Sequence, residues 1–173
     1  MAKTEGQTPM LSLQSIYLRA GTIEMSEHFH PNLPGIRLVP LLRTADCKYA
    51  CNRTELRAED GGEEALHWCQ FISRFHFVYV LPKEDGSQHE EDEIEAHRLA
   101  SITAEIAAVY NLGGEDFPDA EMLRHWANNN VLLHTWPYWR EYCHNTLLRM
   151  GLPVTMIPLI NLAPQQGQDV SAE

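Results

Sequence analysis

Three groups of side chains have types and spacings that could do chemistry. Cys47, Cys51, His67 and Cys69 offer the thiolate and imidazole donors that a tetrahedral zinc accepts. Their spacing argues against it. A three-residue gap followed by a distant His-x-Cys is not the paired two-residue knuckle, and positions 67 and 69 share a face only on a regular strand. Small buried thiols are the favoured reading for these cysteines and for Cys143. Glu141 and His144 have the Glu-x-x-His spacing used in helical di-iron sites, but such a site needs a second copy and two further glutamates, so a solvated pair is expected. His28 and His30 flank Phe29 without a third ligand. The sequence holds no Gly-x-Ser-x-Gly elbow, Gly-rich phosphate loop or Gly-x-Gly-x-x-Gly turn. No catalytic residue, metal or cofactor is therefore expected, and the chain reads as a binding protein rather than an enzyme.

What stands out is adhesive rather than catalytic. Trp126, Trp136, Trp139, Phe29 and the Phe71, Phe75 and Phe77 series exceed what one small core needs, and such residues also serve an oligomer interface or a peptide groove.

The composition sets the frame for these residues. The 173 residues carry 13 Lys+Arg against 24 Asp+Glu, a net charge of −11, which disfavours a nucleic-acid surface and favours basic partners. A chain of this length buries roughly 70% of its unfolded surface and suits one domain. No apolar run approaches the ~18 residues of a membrane helix, and the N-terminus is polar. A soluble, unprocessed, cytoplasmic protein with reduced cysteines is expected. Residues 1–9 read as a flexible lead-in, 10–164 as a single domain and 165–173 as a flexible tail.

Within that domain, residues 11–18 alternate and then slip by one place, predicting a strand with a bulge near Gly21. The segment from Ser26 to Gly35 holds two prolines and is a loop. A second strand runs from Gly35 to about Thr44, ended by the polar stretch from Asn52 to Glu64. The third, from about Leu66 to Leu81, places Phe71, Ser73, Phe75, Phe77 and Tyr79 on one face. Residues 83–93 form an exposed acidic turn. Leu99 to Tyr110 fits both helical and strand periods. Asp116 to Glu121 opens a short helix to about Ala127. A longer helix from about Asn130 carries an apolar stripe of Leu133, Trp136, Trp139, Cys143, Leu147 and Met150, with Pro137 near its start and Gly151 as its stop. Beyond it, Val154 to Leu162 is extended and apolar.

The segment Trp136-Pro137-Tyr138-Trp139-Arg140-Glu141, followed by Arg149-Met150-Gly151-Leu152-Pro153 and by Ile157 to Pro164, resembles the bacterial export chaperone family SecB. Leu13-Gln14-Ser15-Ile16-Tyr17, with Glu24 at the strand end, is similar to the family's first strand. The resemblance implies an α+β fold, a four-stranded antiparallel sheet packed with a long helix. It makes Leu99 to Tyr110 the fourth strand and Ser26 to Pro34 a crossover beside a peptide groove. It also implies a homotetramer, a dimer of dimers with the long helix at its centre, in which Trp136, Trp139, Cys143 and Leu147 serve as interface.

The implied function is ATP-independent binding of unfolded, export-competent polypeptides, through Phe29, Leu33 and Leu159, and delivery to SecA at an acidic sheet surface matched by Glu24 and Glu105. Two departures bear on this. Ala20 stands where family members carry an acid, and Gln165-Gln166-Gly167-Gln168-Asp169 follows Pro164 in place of the family's C-terminal helix. They motivate an alternative, a SecB-like adaptor or dedicated chaperone for one partner, such as an antitoxin, without a general export function.

Overall fold

The computed structural model describes residues 11–31, 35–57, 63–114 and 116–160. The expected lead-in and tail, together with Leu33, lie outside those residues.

The alternation along the third strand sets the layers. β3, Glu63–Val80, buries Phe71, Phe75, Phe77 and Tyr79 on one face, while Arg74 on the other is exposed. β4, Arg98–Leu112, pairs antiparallel with it, so the segment of double periodicity is a strand, as the resemblance implies. Ile102, Ala104, Ile106, Ala108 and Tyr110 of β4 continue the buried face. Small alanines there admit a helix close to the sheet.

β1, Leu11–Met25, and β2, Val39–Arg57, complete a four-stranded antiparallel sheet in the order β1-β4-β3-β2. β1 and β2 are consecutive in sequence yet lie on opposite edges. The chain between them must therefore span three strand spacings, about 14 Å. β1 slips register between Leu13 and Ser15 and again between Leu18 and Ala20. The expected bulge is thus present, but not at Gly21, which pairs regularly with Ala104. β2 continues past Asn52 to Arg57, correcting the expected end, because an edge strand needs no apolar partner on its outer flank.

One face of the sheet is covered by a helix. Asp119 caps α1, Ala120–Trp126, by accepting a hydrogen bond from the Met122 amide. A π-helical turn, Ala127–Val131, joins α1 to α2, Leu132–Arg149, where two separate helices are expected from the sequence. The buried positions explain the wide turn. Leu123, Ala127, Val131 and Thr135 are spaced by four, a step that an ordinary 3.6-residue helix rotates away from the sheet. Leu133, expected in the stripe, is about half exposed.

The main core joins Phe75, Phe77, Tyr79, Ile102, Ala104 and Ile106 to Trp136, Trp139, Cys143 and Leu147. Phe75 stacks on Trp139 at 5.4 Å and meets Trp136 edge-on at 5.7 Å. A second cluster, with Phe71, Tyr110 and Leu123, fills the other end of the same face. On the opposite face, among the described residues, a small cluster forms where Ile94 of the β3–β4 loop packs with Val78 and Val80. That acidic loop is held by Lys83–Glu93 at 2.5 Å and by an Arg43–Glu91 ion pair.

Candidate functional site

The end of α2 positions the residues of greatest interest. Gly151, at φ 69°, turns the chain out of the helix. Its amide donates to Leu148 O and that of Leu152 to Leu147 O, the paired bonds of a Schellman ending. Leu152 then packs beside Leu147 in the core. The chain runs on as an irregular strap, residues 152–160.

Side chains from two elements pin the strap by its carbonyl groups. The Tyr79 hydroxyl donates to Pro153 O at 2.5 Å and lies 2.6 Å from Thr155 Oγ1. Arg140 Nε donates to Ile157 O at 2.9 Å, and Trp136 Nε1 to Pro158 O at 2.8 Å. Burial pushes the Tyr79 hydroxyl pKa up, keeping it a neutral donor. Ile157 points into the core, whereas Met156 and Leu159 are 84% and 76% exposed. Pro31 of the β1–β2 crossover approaches Gly151, so strap and crossover meet at this end of the molecule.

The helix-free face of the sheet carries the other candidates. Ala20, Glu24, Arg74 and Glu105 line one shallow depression. Neither carboxylate is free. Arg74 contacts Glu105 at 2.5 Å, and Arg98 is ion-paired with Glu24. Hydrogen bonds from these arginines, more than their charge alone, hold both carboxyl groups below the usual range. His76 on the same strand face as Arg74 has a lowered pKa, chiefly through burial and then through Arg43 and Arg98.

The structure separates the residues singled out in the sequence. Leu159 is open to a partner. Phe29 is 8% exposed, packed in the main core, where it anchors the crossover. Trp136, Trp139, Cys143 and Leu147 are at most 6% exposed within the single chain, covered by its own sheet.

Cys51 and Cys69 face each other across β2 and β3 and form a disulfide, replacing the expected pair of thiols and the zinc alternative together. Cys47 instead accepts from Ser73 Oγ at 3.6 Å, and His67 Nδ1 lies 3.2 Å from Gly114 O. Glu141 and His144 are exposed on α2. Tyr79 and Arg140 were not singled out by sequence reasoning. The available signal was that a tyrosine in an otherwise buried aromatic row needs a partner for its hydroxyl.

An uncovered apolar strip follows edge strand β1. Leu13, Leu18 and Ile23 are 40–51% exposed, and Leu18 shares a cleft with Tyr138, Tyr142 and Arg149 of α2. No described helix is long and apolar enough to cross a membrane.

No protein-family model matches the chain, and no curated protein is similar enough in sequence to match. A solved structure is similar: the Mycobacterium tuberculosis SecB-like chaperone Rv1957, in complex with a ChAD peptide from the Rv1956 HigA1 antitoxin. The likeness has a TM-score of 0.57 at 18% identity and covers 89% of this chain and 93% of that one. Sheet, long helix and order of elements thus agree over nearly the whole length of both, and the chain has the SecB-like α+β fold.

Proposed function

We propose that this protein is a chaperone that holds extended, unfolded polypeptide segments without ATP, and that it serves a dedicated partner rather than the Sec translocase. The observation that carries the reading is the pinned strap with outward Met156 and Leu159, in a fold shared with a chaperone solved with an antitoxin peptide. A fixed backbone displaying exposed apolar side chains binds an extended segment at little ordering cost.

The acidic face supports the dedicated-partner reading. A basic tail docking there, such as that of SecA, would have to displace Arg98 from Glu24 and Arg74 from Glu105, and Ala20 supplies no third carboxylate. Uncovered apolar residues on β1 support assembly with further copies, because an exposed edge strand of this kind is an aggregation hazard when left alone. We assign the homotetramer's first contact to β1 and the neighbouring flank of α2.

The test is aggregation of chemically reduced, unrelated client proteins followed by light scattering, beside binding of the intended partner's unfolded segment. A dedicated chaperone should bind its partner tightly, suppress general aggregation weakly, and lose both on Met156→Asp with Leu159→Asp. Equal, efficient protection of every client would favour general export instead. Protein that binds no unfolded chain at all would sink the proposal. The same preparation should ignore a basic SecA-tail peptide, whereas Arg74→Gln with Arg98→Gln, which frees both carboxylates, should bind it, with an affinity that falls as salt rises.

A further inference from the structure

The β2–β3 hairpin reaches past the rest of the sheet. β3 pairs with β4 only as far out as Trp68, opposite Asn111, whereas its pairing with β2 runs on to Arg57 and Glu63. Among the described residues, the pairs from Arg53–His67 outward therefore form a two-stranded ribbon, an arrangement that is marginally stable on its own. Arg53, Thr54, Glu55 and Ala65 on it are exposed. The Cys51–Cys69 disulfide stands at the root of the ribbon, one position inside the Asn52–Trp68 pair. Cys69 is fully buried in the cluster of Phe71, Tyr110 and Leu123 that seats α1, and Cys51 packs against that cluster while keeping some exposed surface. Around this root the hairpin also holds the approach to α1. His67 Nδ1 lies 3.2 Å from Gly114 O, the His67 ring meets Phe117 edge-on at 5.5 Å, and the Tyr49 hydroxyl donates to Ala120 O at 3.4 Å.

We infer that the Cys51–Cys69 bond is a reversible thiol–disulfide switch that moors the ribbon and the approach to α1, and that its reaction partner is a dithiol reductant. The inference is independent of polypeptide binding. Of the two sulfurs, that of Cys51 is the one within reach, because Cys51 lies on an edge strand and Cys69 has no exposed surface. A thiolate of the reductant attacks Cys51 Sγ and forms a mixed disulfide, while the electron pair of the broken bond leaves on Cys69 Sγ, which takes up a proton. The reductant's second thiol gives up its proton and displaces Cys51 Sγ, which is protonated in turn. Two electrons and two protons have then passed to the cysteine pair, and the dithiol has become a disulfide. Two changes follow in the fold. Residues 18 positions apart lose their covalent link, so the open ribbon regains the freedom that the closed loop denied it. The freed sulfurs must also separate to non-bonded contact, and β2, with no described strand beyond it, yields more readily than the enclosed β3. The response stays local, because the main core around Trp139 shares no buried residue with the cluster that holds Cys69.

Amide hydrogen exchange on the full chain tests this, with the protein oxidised by glutathione disulfide, then reduced by dithiothreitol, then reoxidised. Alkylation with iodoacetamide in denaturant, read by mass spectrometry, gives the state of the bond. Cys47 and Cys143 should be labelled in the oxidised protein and all the cysteines after reduction. On reduction, exchange from Arg53 to Glu55 and from Ala65 to His67 should accelerate about tenfold or more, with a smaller rise at Leu123. Exchange from Trp139 to Leu147 should stay slow, and reoxidation should restore the first pattern. Cys51→Ser should exchange as the reduced protein does and ignore dithiothreitol, while the comparison within the native sequence stands whether or not that variant folds. A bond that does not form under glutathione disulfide overturns the switch. So does one that dithiothreitol reaches only after the protein is denatured, which would make it a permanent staple. Reduction that leaves exchange in the ribbon unchanged overturns the mooring.

Discussion

Gly21 and Tyr142 show how single residues set this fold. A Cβ built on Gly21 would overlap the Tyr142 hydroxyl, so glycine here admits a helix side chain against the edge strand. Gly21→Val should lower stability by about 1–3 kcal/mol by displacing that ring. In a Tyr142→Ala background the same change should cost nothing or stabilise, because valine is the better strand former. Urea unfolding of the four proteins in the cycle checks the coupling. Cys143 gives a second prediction. Burial pushes its thiol from 9.0 up to about 12, and that of the Tyr110 hydroxyl from 10.0 up to about 12. As pH rises above the unfolded values, the unfolded chain releases protons that the native chain keeps, so stability falls with rising pH. Unfolding free energy should decline from about pH 9 in the native sequence, and less steeply between about pH 9 and pH 10 in Cys143→Ala, where the Cys47 thiol, also raised by burial, still contributes. A flat profile over that range would contradict the burial of both groups. Phe29 marks the limit of legibility at this scale. An apolar residue in a proline-flanked loop must be buried or bind something, and only the crossover's path over the core decides for burial.

At the scale of elements, legibility depended on whether one period excluded the other. The aromatics of β3 alternate over a long run and admit no helix. Leu99 to Tyr110 satisfies both periods, because alanines at every second position are apolar enough for a buried strand face and good helix formers too. Tertiary pairing with β3 and β1 settles it. The second half of β2 is polar because it lies at an edge, and the joined helices read as two because a π-helical turn breaks the 3.6-residue period. Gly151 was legible as a stop, but not the strap's dependence on it. Its φ of 69° is strained for any side chain, so Gly151→Ala should destabilise the protein by about 1 kcal/mol. The loss should concentrate beyond the helix. Proteolysis near Val154 should accelerate while exchange in the middle of α2 stays slow. Uniform acceleration along the helix would mean that the strap has no separate mooring.

For the whole molecule, the decisive feature is which apolar surfaces the fold leaves uncovered. The sequence shows an excess of aromatic residues, and assigning the α2 stripe to an interface is reasonable while core and interface look alike. The sheet encloses Trp139, Cys143 and Leu147 completely and leaves Leu13, Leu18 and Ile23 partly exposed along β1. These residues lie on the side of the sheet that α2 shares, at the edge, where Leu18 borders α2 without being covered by it. Among the described residues β1 pairs in the sheet only with β4, which leaves its other edge without a strand partner. Antiparallel contact between two copies across this edge satisfies side chains and backbone together, and a two-fold axis requires nothing more than one self-complementary strip. The strip and the strap share no residue, so the proposed assembly and the proposed polypeptide binding can be altered separately. Ile23→Lys with Leu18→Lys should therefore convert the proposed assembly to monomer in sedimentation velocity, with circular dichroism unchanged. Binding of one unfolded segment per chain should persist in that monomer, while clients long enough to reach two straps should bind more weakly, since linked sites raise apparent affinity only when one chain spans them. An assembly that survives both lysines would place the contact elsewhere, on the exposed face of α2 that carries Leu133 and Leu148.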